Sequence, residues 1–207
     1  MNKGTYLASP CRASSLPFWK TNSVTVPDYI RVVRDDLFTP EMAQGCKDEP
    51  YFKLYHGLDR VEQKAVPAGF KLISPTAAEL SRHIGECYPQ ERASEEELSF
   101  FRRRPTYRPE LWIALADSAT AKIAASGIAE FDAEIGEGIL EWIQVAPAYR
   151  RRGLGVYIVN ELLVRLKPIA DFVTVSGRIY NDTKPELLYK TCGFGSMAIW
   201  HVLERDP

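Results

Sequence analysis

The chain has 207 residues, of which 45% are hydrophobic and 26% are charged. These are the proportions of an ordinary folded domain, and they exclude a disordered, fibrous or membrane-embedded protein. Lys and Arg (26) nearly balance Asp and Glu (27), so no overall field attracts nucleic acid or an anionic membrane. We expect neither as a partner, and we expect one domain with at most a sizeable extension.

The four cysteines, Cys11, Cys46, Cys87 and Cys192, are far apart and form no CxxC pair. No histidine lies near them at metal-ligand spacing, so we predict reduced thiols and no metal site. The sequence identifies no partner for the three histidines, and we expect structural roles for them: His56, His83 and His201. The N-terminus lacks the apolar stretch of a secretory signal, and no later segment approaches the ~20 apolar residues of a membrane span. A cytoplasmic protein is therefore expected.

Residues 1–68 have an irregular pattern, because prolines interrupt short apolar runs. The segments 29–33 and 51–55 have the composition of strands. We predict an N-terminal extension with two short strands in long loops, packed on a main domain that spans residues 69–207.

The pattern becomes regular from residue 69 onward. Residues 70–73 form a strand candidate that a proline stops, and apolar residues then recur at helical spacing up to Cys87. A second helix begins at Ser94 with an acidic first turn. It ends at the arginines 102–104, which suit the negative C-terminal end of a helix dipole better than a nucleic-acid contact.

Strands and helices alternate in the remainder of the chain. In chain order, the pattern predicts strands at 111–116, 123–131 and 139–145, a helix at 157–166, a strand at 172–176, a helix at 185–191 and a strand at 198–203. Short turns join the first three strands, which indicates an antiparallel meander. The main domain then has the order β-α-α-β-β-β-α-β-α-β, an α+β fold with a mixed, mostly antiparallel central sheet flanked by helices.

A glycine turn after the strand 139–145 is a candidate phosphate site. Its sequence is Arg150-Arg151-Arg152-Gly153-Leu154-Gly155, and a helix follows it. Unpaired N–H groups and the positive dipole end at a helix start bind phosphate, and glycines let the backbone approach the ligand closely. The spacing excludes the dinucleotide motif Gly-x-Gly-x-x-Gly and the triphosphate motif Gly-Lys-Ser/Thr. Taken alone, the segment could also be an ordinary glycine-containing turn.

Three motifs carry a resemblance to a known family. Arg150-x-x-Gly153-x-Gly155 resembles the Gln/Arg-x-x-Gly-x-Gly/Ala signature of the GCN5-related N-acetyltransferases. Val145-Ala146-Pro147 resembles the Val-x-Pro at a strand end in this family. Residues 181–194, from Asn181 through Leu188-Tyr189 to Gly193-Phe194, resemble its later Asn…Leu-Tyr-x-x-x-Gly-Phe segment. The resemblance covers about residues 69–207, and residues 1–68 lie outside it.

The resemblance implies acetyl-CoA as the acyl donor and gives roles to particular residues. The strand backbone at Ile143, Gln144 and Val145 would pair with the pantetheine arm. The pyrophosphate would be held by the charge of Arg150 and by the turn and helix start that follow it: Arg151, Arg152, Gly153, Leu154, Gly155 and Val156. Asn181 would contact the cofactor arm, and Tyr189 would protonate the departing thiolate.

Transfer to an amine also needs a group that accepts a proton. An aliphatic amine with a pKa of ~10.4 is almost entirely protonated at neutral pH, and only its neutral form attacks a thioester. Glu141, in the strand before the turn, is the first candidate for the general base, and Glu130 and Asp132 on the preceding strand are alternatives. A backbone N–H near Val145 would polarise the thioester carbonyl.

These features predict an acetyl-CoA-dependent N-acetyltransferase that transfers the acetyl group directly to a primary amine without a metal. The acceptor is expected to be a small-molecule or peptide amine, and the sequence does not select among a peptide N-terminus, a lysine, a polyamine and an aminoglycoside. Two alternatives stay open. One is a non-catalytic acyl-CoA-binding regulatory module, and the other is an interaction protein whose residues 1–68 mediate homodimerisation or cover the acceptor cleft.

Overall fold

The structure, a computed structural model, describes residues 1–88 and 93–205. It has the predicted α+β fold, with eight strands in a mostly antiparallel sheet and helices that flank it. The elements are α1 (Lys3–Ala8), α2 (Pro10–Ala13), α3 (Phe18–Thr21), β1 (Ile30–Arg34), β2 (Cys46–His56), β3 (Phe70–Ile73), α4 (Ala77–Cys87), α5 (Glu95–Phe101), β4 (Trp112–Asp117), β5 (Ile123–Asp132), β6 (Glu137–Val145), α6 (Leu154–Leu166), β7 (Phe172–Arg178), α7 (Pro185–Thr191) and β8 (Gly195–Arg205).

The element order predicted from residue 69 onward is confirmed, and β3 and α7 have the predicted bounds. The largest change among the helices is in α6, which begins at Leu154 rather than at residue 157. Gly153 adopts a left-handed conformation with φ of 76°, and the helix starts directly after it. The last residues of the glycine turn therefore lie in the first turn of α6.

The chain divides into two compact units, which we call the central unit, Leu58–Val173, and the terminal unit, Met1–Gly57 with Thr174–Pro207. The central unit contains the predicted meander, with strands in the order β6-β5-β4-β3 and antiparallel pairing throughout. Its helices α4 and α5 each begin with a capping box, formed by Thr76 with Glu79 and by Ser94 with Glu97. These caps satisfy the N–H groups that a helix start leaves without partners.

The arginines after α5 mark a helix end, as predicted. The helix stops at Phe101, and the side chains that follow fold back on the central unit. The Arg102 guanidinium lies 5.1 Å from the centre of the Trp112 ring. Arg104 lies 3.5 Å from the Phe101 ring centre and forms an ion pair of 2.9 Å with the buried Glu130 carboxylate. Arg103 lies 6.0 Å from the Phe100 ring centre, so all three arginines contact side chains of the protein.

Helix α6 packs so closely on β5 that only glycine fits at Gly127. A Cβ atom built there would lie 2.5 Å from Ile158 Cγ2 and 2.9 Å from Leu162 Cδ1, and both of those side chains are fully buried. We expect Gly127→Ala to lower the free energy of unfolding by about 1–3 kcal/mol, because the added methyl group forces the packed helix to shift. Urea denaturation measures this change.

Gly85 in α4 offers a matched control, since a Cβ built there meets no atom within 4 Å. Gly85→Ala should leave the free energy of unfolding unchanged or raise it by about 0.5–1 kcal/mol, because alanine favours the helix over glycine. Equal effects of the two substitutions would contradict the packing argument at Gly127.

In the terminal unit the strands lie in the order β1-β8-β2-β7. Both predicted N-terminal strands are present, and both pair antiparallel with β8, one on each side of it. β2 is longer than predicted, because β8 pairs with it from Cys46 through Tyr55. Part of the predicted extension therefore shares a sheet with β8. The boundary at residue 68 and dimerisation through residues 1–68 stay predictions.

The prediction of long loops before β1 was wrong, because three short helices occupy much of that segment. Lys53 of β2 contacts this segment, and it is only 1% exposed. Its Nζ donates to the Tyr6 hydroxyl at 2.9 Å and to the carbonyls of Ser14 and Leu16 at 3.1 and 2.7 Å. Lys53 is thus the centre of a buried polar cluster.

Candidate functional site

β6 of the central unit carries an irregularity next to its C-terminal end. Two of its residues, Glu141 and Trp142, lie opposite the single β5 residue Ile128, which makes a β-bulge. A bulge bends the strand and changes the direction of the side chains around it. Glu141 and Trp142 are both half-buried. The first candidate for the general base therefore lies at the irregular point of the strand.

Beyond the bulge, the backbone polar groups of β6 alternate between its two edges. The Ala146 N–H donates to the Ala124 carbonyl of β5 at 2.9 Å. Because hydrogen-bonded and non-hydrogen-bonded pairs alternate in an antiparallel ladder, the N–H and C=O of Gln144 also face β5. Those of Ile143 and Val145 point away from β5. Two of the three residues predicted to pair with a pantetheine arm therefore direct their backbone to the edge away from β5.

Both outward carbonyls accept a side-chain hydrogen bond. The Tyr88 hydroxyl donates to the Ile143 carbonyl at 3.2 Å, and Arg150 Nε donates to the Val145 carbonyl at 3.3 Å. Tyr88 follows the last residue of α4, and its ring centre lies 6.5 Å from that of Trp142. At the outward edge of β6, the aromatic pair therefore lies beside the Ile143 carbonyl. The first arginine of the glycine turn lies beside the Val145 carbonyl.

A buried polar cluster lies beside the same stretch of β6. The Gln144 side chain donates from Nε2 to Ser126 Oγ at 2.5 Å, and both residues are buried. On α4, His83 Nε2 lies 3.7 Å from Cys87 Sγ, so the interpretation that no histidine lies near a cysteine was wrong for this pair. Burial raises the pKa of the Cys87 thiol to about 11. Burial also lowers the pKa of His83 to about 4, an effect that the backbone of Gln144 opposes.

His83 is therefore neutral in the folded protein at pH 7, which supports its expected structural role. The ordinary histidine pKa is about 6.5, so the unfolded chain takes up a proton before the folded chain does. The contribution of neutral His83 to the free energy of unfolding is complete above pH ~6.5. It is lost as the pH falls toward 4, and the loss is on the order of 3 kcal/mol. We expect His83→Gln to reduce the difference in unfolding free energy between pH 7 and pH 4.5. An identical difference in both proteins, measured by urea denaturation, would contradict a neutral buried imidazole.

The glycine turn has the backbone geometry of an anion site. Arg151 and Gly153 are both left-handed, with φ of 62° and 76°. The first intrahelical hydrogen bond of α6 runs from the Tyr157 N–H to the Gly153 carbonyl at 3.1 Å, and no side chain of the N-cap residue closes the helix start. The N–H groups at this helix start lie at the positive end of the helix dipole.

The space beside the turn is open, and its arginines are exposed. A Cβ atom built on Gly153 meets no atom within 4 Å. The Arg152 guanidinium lies over two aromatic rings, 4.9 Å from the centre of Phe70 and 5.6 Å from that of Tyr149. Arg150 Nε donates a hydrogen bond to the Val145 carbonyl, as described above. The structure thus brings together, in the central unit, all the residues predicted to pair with the donor except Asn181.

The remaining predicted residues, Asn181 and Tyr189, belong to the terminal unit. Asn181 Oδ1 accepts hydrogen bonds from the N–H and the hydroxyl of Thr183 at 3.0 and 2.7 Å, in the turn that leads to α7. Tyr189 on α7 is buried, with its ring centre 6.1 Å from that of Phe52 and 5.7 Å from that of Phe194. The roles of both residues stay predictions.

The family is decided by a match of residues 77–194 to the model of the acetyltransferase (GNAT) family. The chain belongs to the GNAT family. Members of this family use acetyl-CoA or another acyl-CoA as donor. No relative is found among curated proteins.

Solved GNAT structures share the fold at low sequence identity. A GCN5-related N-acetyltransferase from Sphaerobacter thermophilus is 17% identical, with a TM-score of 0.67 over 86% of this chain and 60% of that one. A GNAT acetyltransferase from Colwellia psychrerythraea is 12% identical, with a TM-score of 0.60 over 84% of this chain and 64% of that one. The ribosomal-protein-S18-alanine N-acetyltransferase of Escherichia coli is 20% identical, with a TM-score of 0.52 over 67% of this chain and 95% of that one. The chain thus spans less than two thirds of the first two of these proteins.

The two alternative candidates for the general base, Glu130 and Asp132, are buried and form contacts of their own. Glu130 is buried and paired with Arg104, and Asp132 is buried at the β5–β6 turn, where its Oδ1 accepts the Glu134 N–H at 2.9 Å. Glu141 is more exposed than either of them. Of the three carboxylates, Glu141 is therefore the one with most access from solvent.

Sequence reasoning missed Tyr88, because no pattern shows that the residue after a helix reaches a strand 55 residues away. It also missed the partners of His201, whose Nδ1 lies 2.8 Å from Asp48 Oδ2 and whose Nε2 lies 3.2 Å from Asp35 Oδ1. Within residues 1–88 and 93–205, no group of three or more His, Cys, Asp or Glu side chains is arranged to hold a metal ion. In the same ranges, no helix combines the length and apolarity needed to cross a membrane.

Proposed function

We propose that this GNAT chain is an acetyl-CoA-dependent N-acetyltransferase that transfers an acetyl group directly to a primary amine. One observation carries the proposal. Within the central unit, the outward backbone edge at Ile143 and Val145 is followed by the left-handed turn at Gly153 and the start of α6. The helix start has no side-chain cap and the space at Gly153 is open, so the residues present fit a donor that carries a pyrophosphate.

In this proposal the central unit holds the donor by its backbone. The N–H groups from Arg151 through Val156 bind the pyrophosphate, with exposed arginine side chains adding charge. The edge at Ile143 and Val145 pairs with the amides of the pantetheine arm, and Asn181 contacts the same arm as the family resemblance implies. When bound, acetyl-CoA supplies the acetyl thioester that the amine attacks.

The protein's own side chains handle the protons. Glu141 takes the proton of the acceptor amine, directly or through water, because the amine attacks only in its neutral form. Its half-buried position at the β6 bulge supports this role. Tyr189 gives a proton to the departing thiolate, a role supported by its place in the Leu188-Tyr189 motif. The outward N–H groups near Val145 stabilise negative charge on the carbonyl oxygen.

The experiment that tests this function has two parts. Calorimetric titration with acetyl-CoA measures donor binding, and release of free thiol in the presence of primary amines measures transfer. Binding together with amine-dependent thiol release is the expected result. Binding without release for any amine would favour the regulatory module, and absence of acetyl-CoA binding would overturn the enzyme assignment.

A further inference from the structure

We propose that Phe52 of β2 is a positioning residue for Tyr189, so that the N-terminal segment takes part in acyl transfer. The inference rests on the proposed function and deepens it, because it names what holds the group that protonates the thiolate. Phe52 lies outside residues 77–194, which match the family model. It belongs to the same unit as Tyr189.

Tyr189 is the residue that fixes α7 to the rest of the terminal unit. α7 has seven residues, all in the described part of the chain, and Tyr189 is the one that is buried. A helix this short is not stable by itself, so the contacts of its buried side chain set its place. The Tyr189 ring centre lies 6.1 Å from that of Phe52 and 5.7 Å from that of Phe194. The direction of the Tyr189 hydroxyl therefore depends on where these two rings lie.

β2 provides one of the two rings and contacts the other. Phe52 is a β2 residue and is 1% exposed. On the same strand, the buried His56 has its ring centre 5.1 Å from that of Phe194. The Phe194 N–H donates to the Tyr189 carbonyl at 3.1 Å, which joins Phe194 to α7 through the backbone as well. The surroundings of Tyr189 thus depend on a strand of the N-terminal segment.

The Phe52 ring also lies against the backbone of β7. A Cβ atom built on Gly177 would lie 2.7 Å from Phe52 Cζ and 3.0 Å from Phe52 Cε1. Such distances leave room for the glycine hydrogen but not for a methyl group. The ring is therefore confined, and a confined ring can fix the position of the tyrosine that it contacts.

Proton transfer makes a stricter demand on the Tyr189 hydroxyl than burial does. A donor must lie within about 2.6–3.2 Å of the atom that it protonates. A misplacement of about 1 Å can lower a rate about 100-fold. A smaller side chain at position 52 would leave Tyr189 buried but free to tilt. We therefore expect a change at Phe52 to affect the chemical step more than it affects donor binding.

The first test compares Phe52→Leu with the wild-type protein, both as the full chain. Thiol release from acetyl-CoA is measured with spermidine, kanamycin and trialanine as amine probes, and kcat is taken with the probe that gives the fastest release. We expect kcat to fall about 10-fold while the Kd for acetyl-CoA stays within about two-fold. In a Tyr189→Phe background, the same substitution should change kcat by less than about two-fold, because no hydroxyl is left to position.

Phe18→Leu is the matched control, because Phe18 is buried in the same unit with its ring centre 5.4 Å from that of Tyr6. It makes the same change beside a tyrosine that has no proposed role in transfer, so kcat should stay unchanged. The inference would be overturned by an unchanged kcat in Phe52→Leu, by an equal fall in Phe18→Leu, or by an undiminished effect of Phe52→Leu in the Tyr189→Phe background. Wild-type transfer would leave the proposed function standing in each case.

Gly177→Ala tests the same contact while keeping the ring, and it applies where Phe52→Leu does not fold. The added methyl group displaces the Phe52 ring, so kcat should again fall about 10-fold with acetyl-CoA affinity unchanged. Gly195→Ala is its control and should leave kcat unchanged, since a Cβ built on Gly195 meets no atom within 4 Å. Equal kcat values in the two alanine variants would contradict the inference. Absence of thiol release from the wild-type protein with all three probes would overturn both the inference and the proposed transfer.

Discussion

Gly153→Glu is expected to weaken acetyl-CoA binding at least about 100-fold while the protein stays folded. The substituted side chain extends into the open space beside the turn, where the pyrophosphate is proposed to lie. A carboxylate there repels the phosphates, and each charge-assisted N–H contact that is lost costs about 1.5–3 kcal/mol. Loss of two such contacts is enough for a 100-fold effect. Calorimetric titration measures the affinity, and circular dichroism checks the fold.

Gly45→Glu is the matched control for this variant. Gly45 is also left-handed, with φ of 68°, and a Cβ built there meets no atom within 4 Å. The control therefore introduces the same charge and the same backbone strain, about 1–2 kcal/mol, in the terminal unit. It should bind acetyl-CoA like the wild-type protein. Equal loss of affinity in both variants would show that net charge or stability, rather than the turn, controls binding.

The predicted order of elements from residue 69 onward held because short-range patterns decide it. Short apolar runs bounded by turn residues mark the strands, and the helical spacing of α4 and α6 marks their buried faces. The glycine turn was equally visible, because a left-handed backbone at Gly153 and a helix start after it depend on local conformation. The start of α6 was missed by three residues, because the glycines of the turn interrupt the apolar spacing before Tyr157 although Leu154 is buried.

The sequence did not predict the contacts between side chains that lie far apart in the chain. Nothing in the local pattern around Lys53 shows that Tyr6, Ser14 and Leu16 bring three oxygens to its ammonium group. The two carboxylates beside His201 come from positions 153 and 166 residues away. The bulge at Glu141 and Trp142 depends on the register between β5 and β6, which no periodicity reports. The fold was thus more predictable than the side chains that complete the candidate site.

Tyr189→Phe is expected to lower kcat about 100-fold, with a Kd for acetyl-CoA within about two-fold of the wild-type value. The substitution removes only the hydroxyl and keeps the ring contacts with Phe52 and Phe194, so the packing of α7 is preserved. General acid catalysis contributes about 10²–10⁴-fold to a rate, which sets the size of the expected loss. Steady-state thiol release gives kcat, and calorimetry gives the Kd.

Tyr180→Phe is a control in the same unit, because the Tyr180 side chain is 84% exposed and its hydroxyl is given no role in transfer. It should leave kcat unchanged. An equal loss of kcat and of acetyl-CoA affinity in Tyr189→Phe would assign the hydroxyl to donor binding or to packing. A loss confined to kcat would instead assign the hydroxyl to protonation of the thiolate. The departing thiolate exists only after the donor is bound, so a group that protonates it stabilises the transition state without changing ground-state affinity.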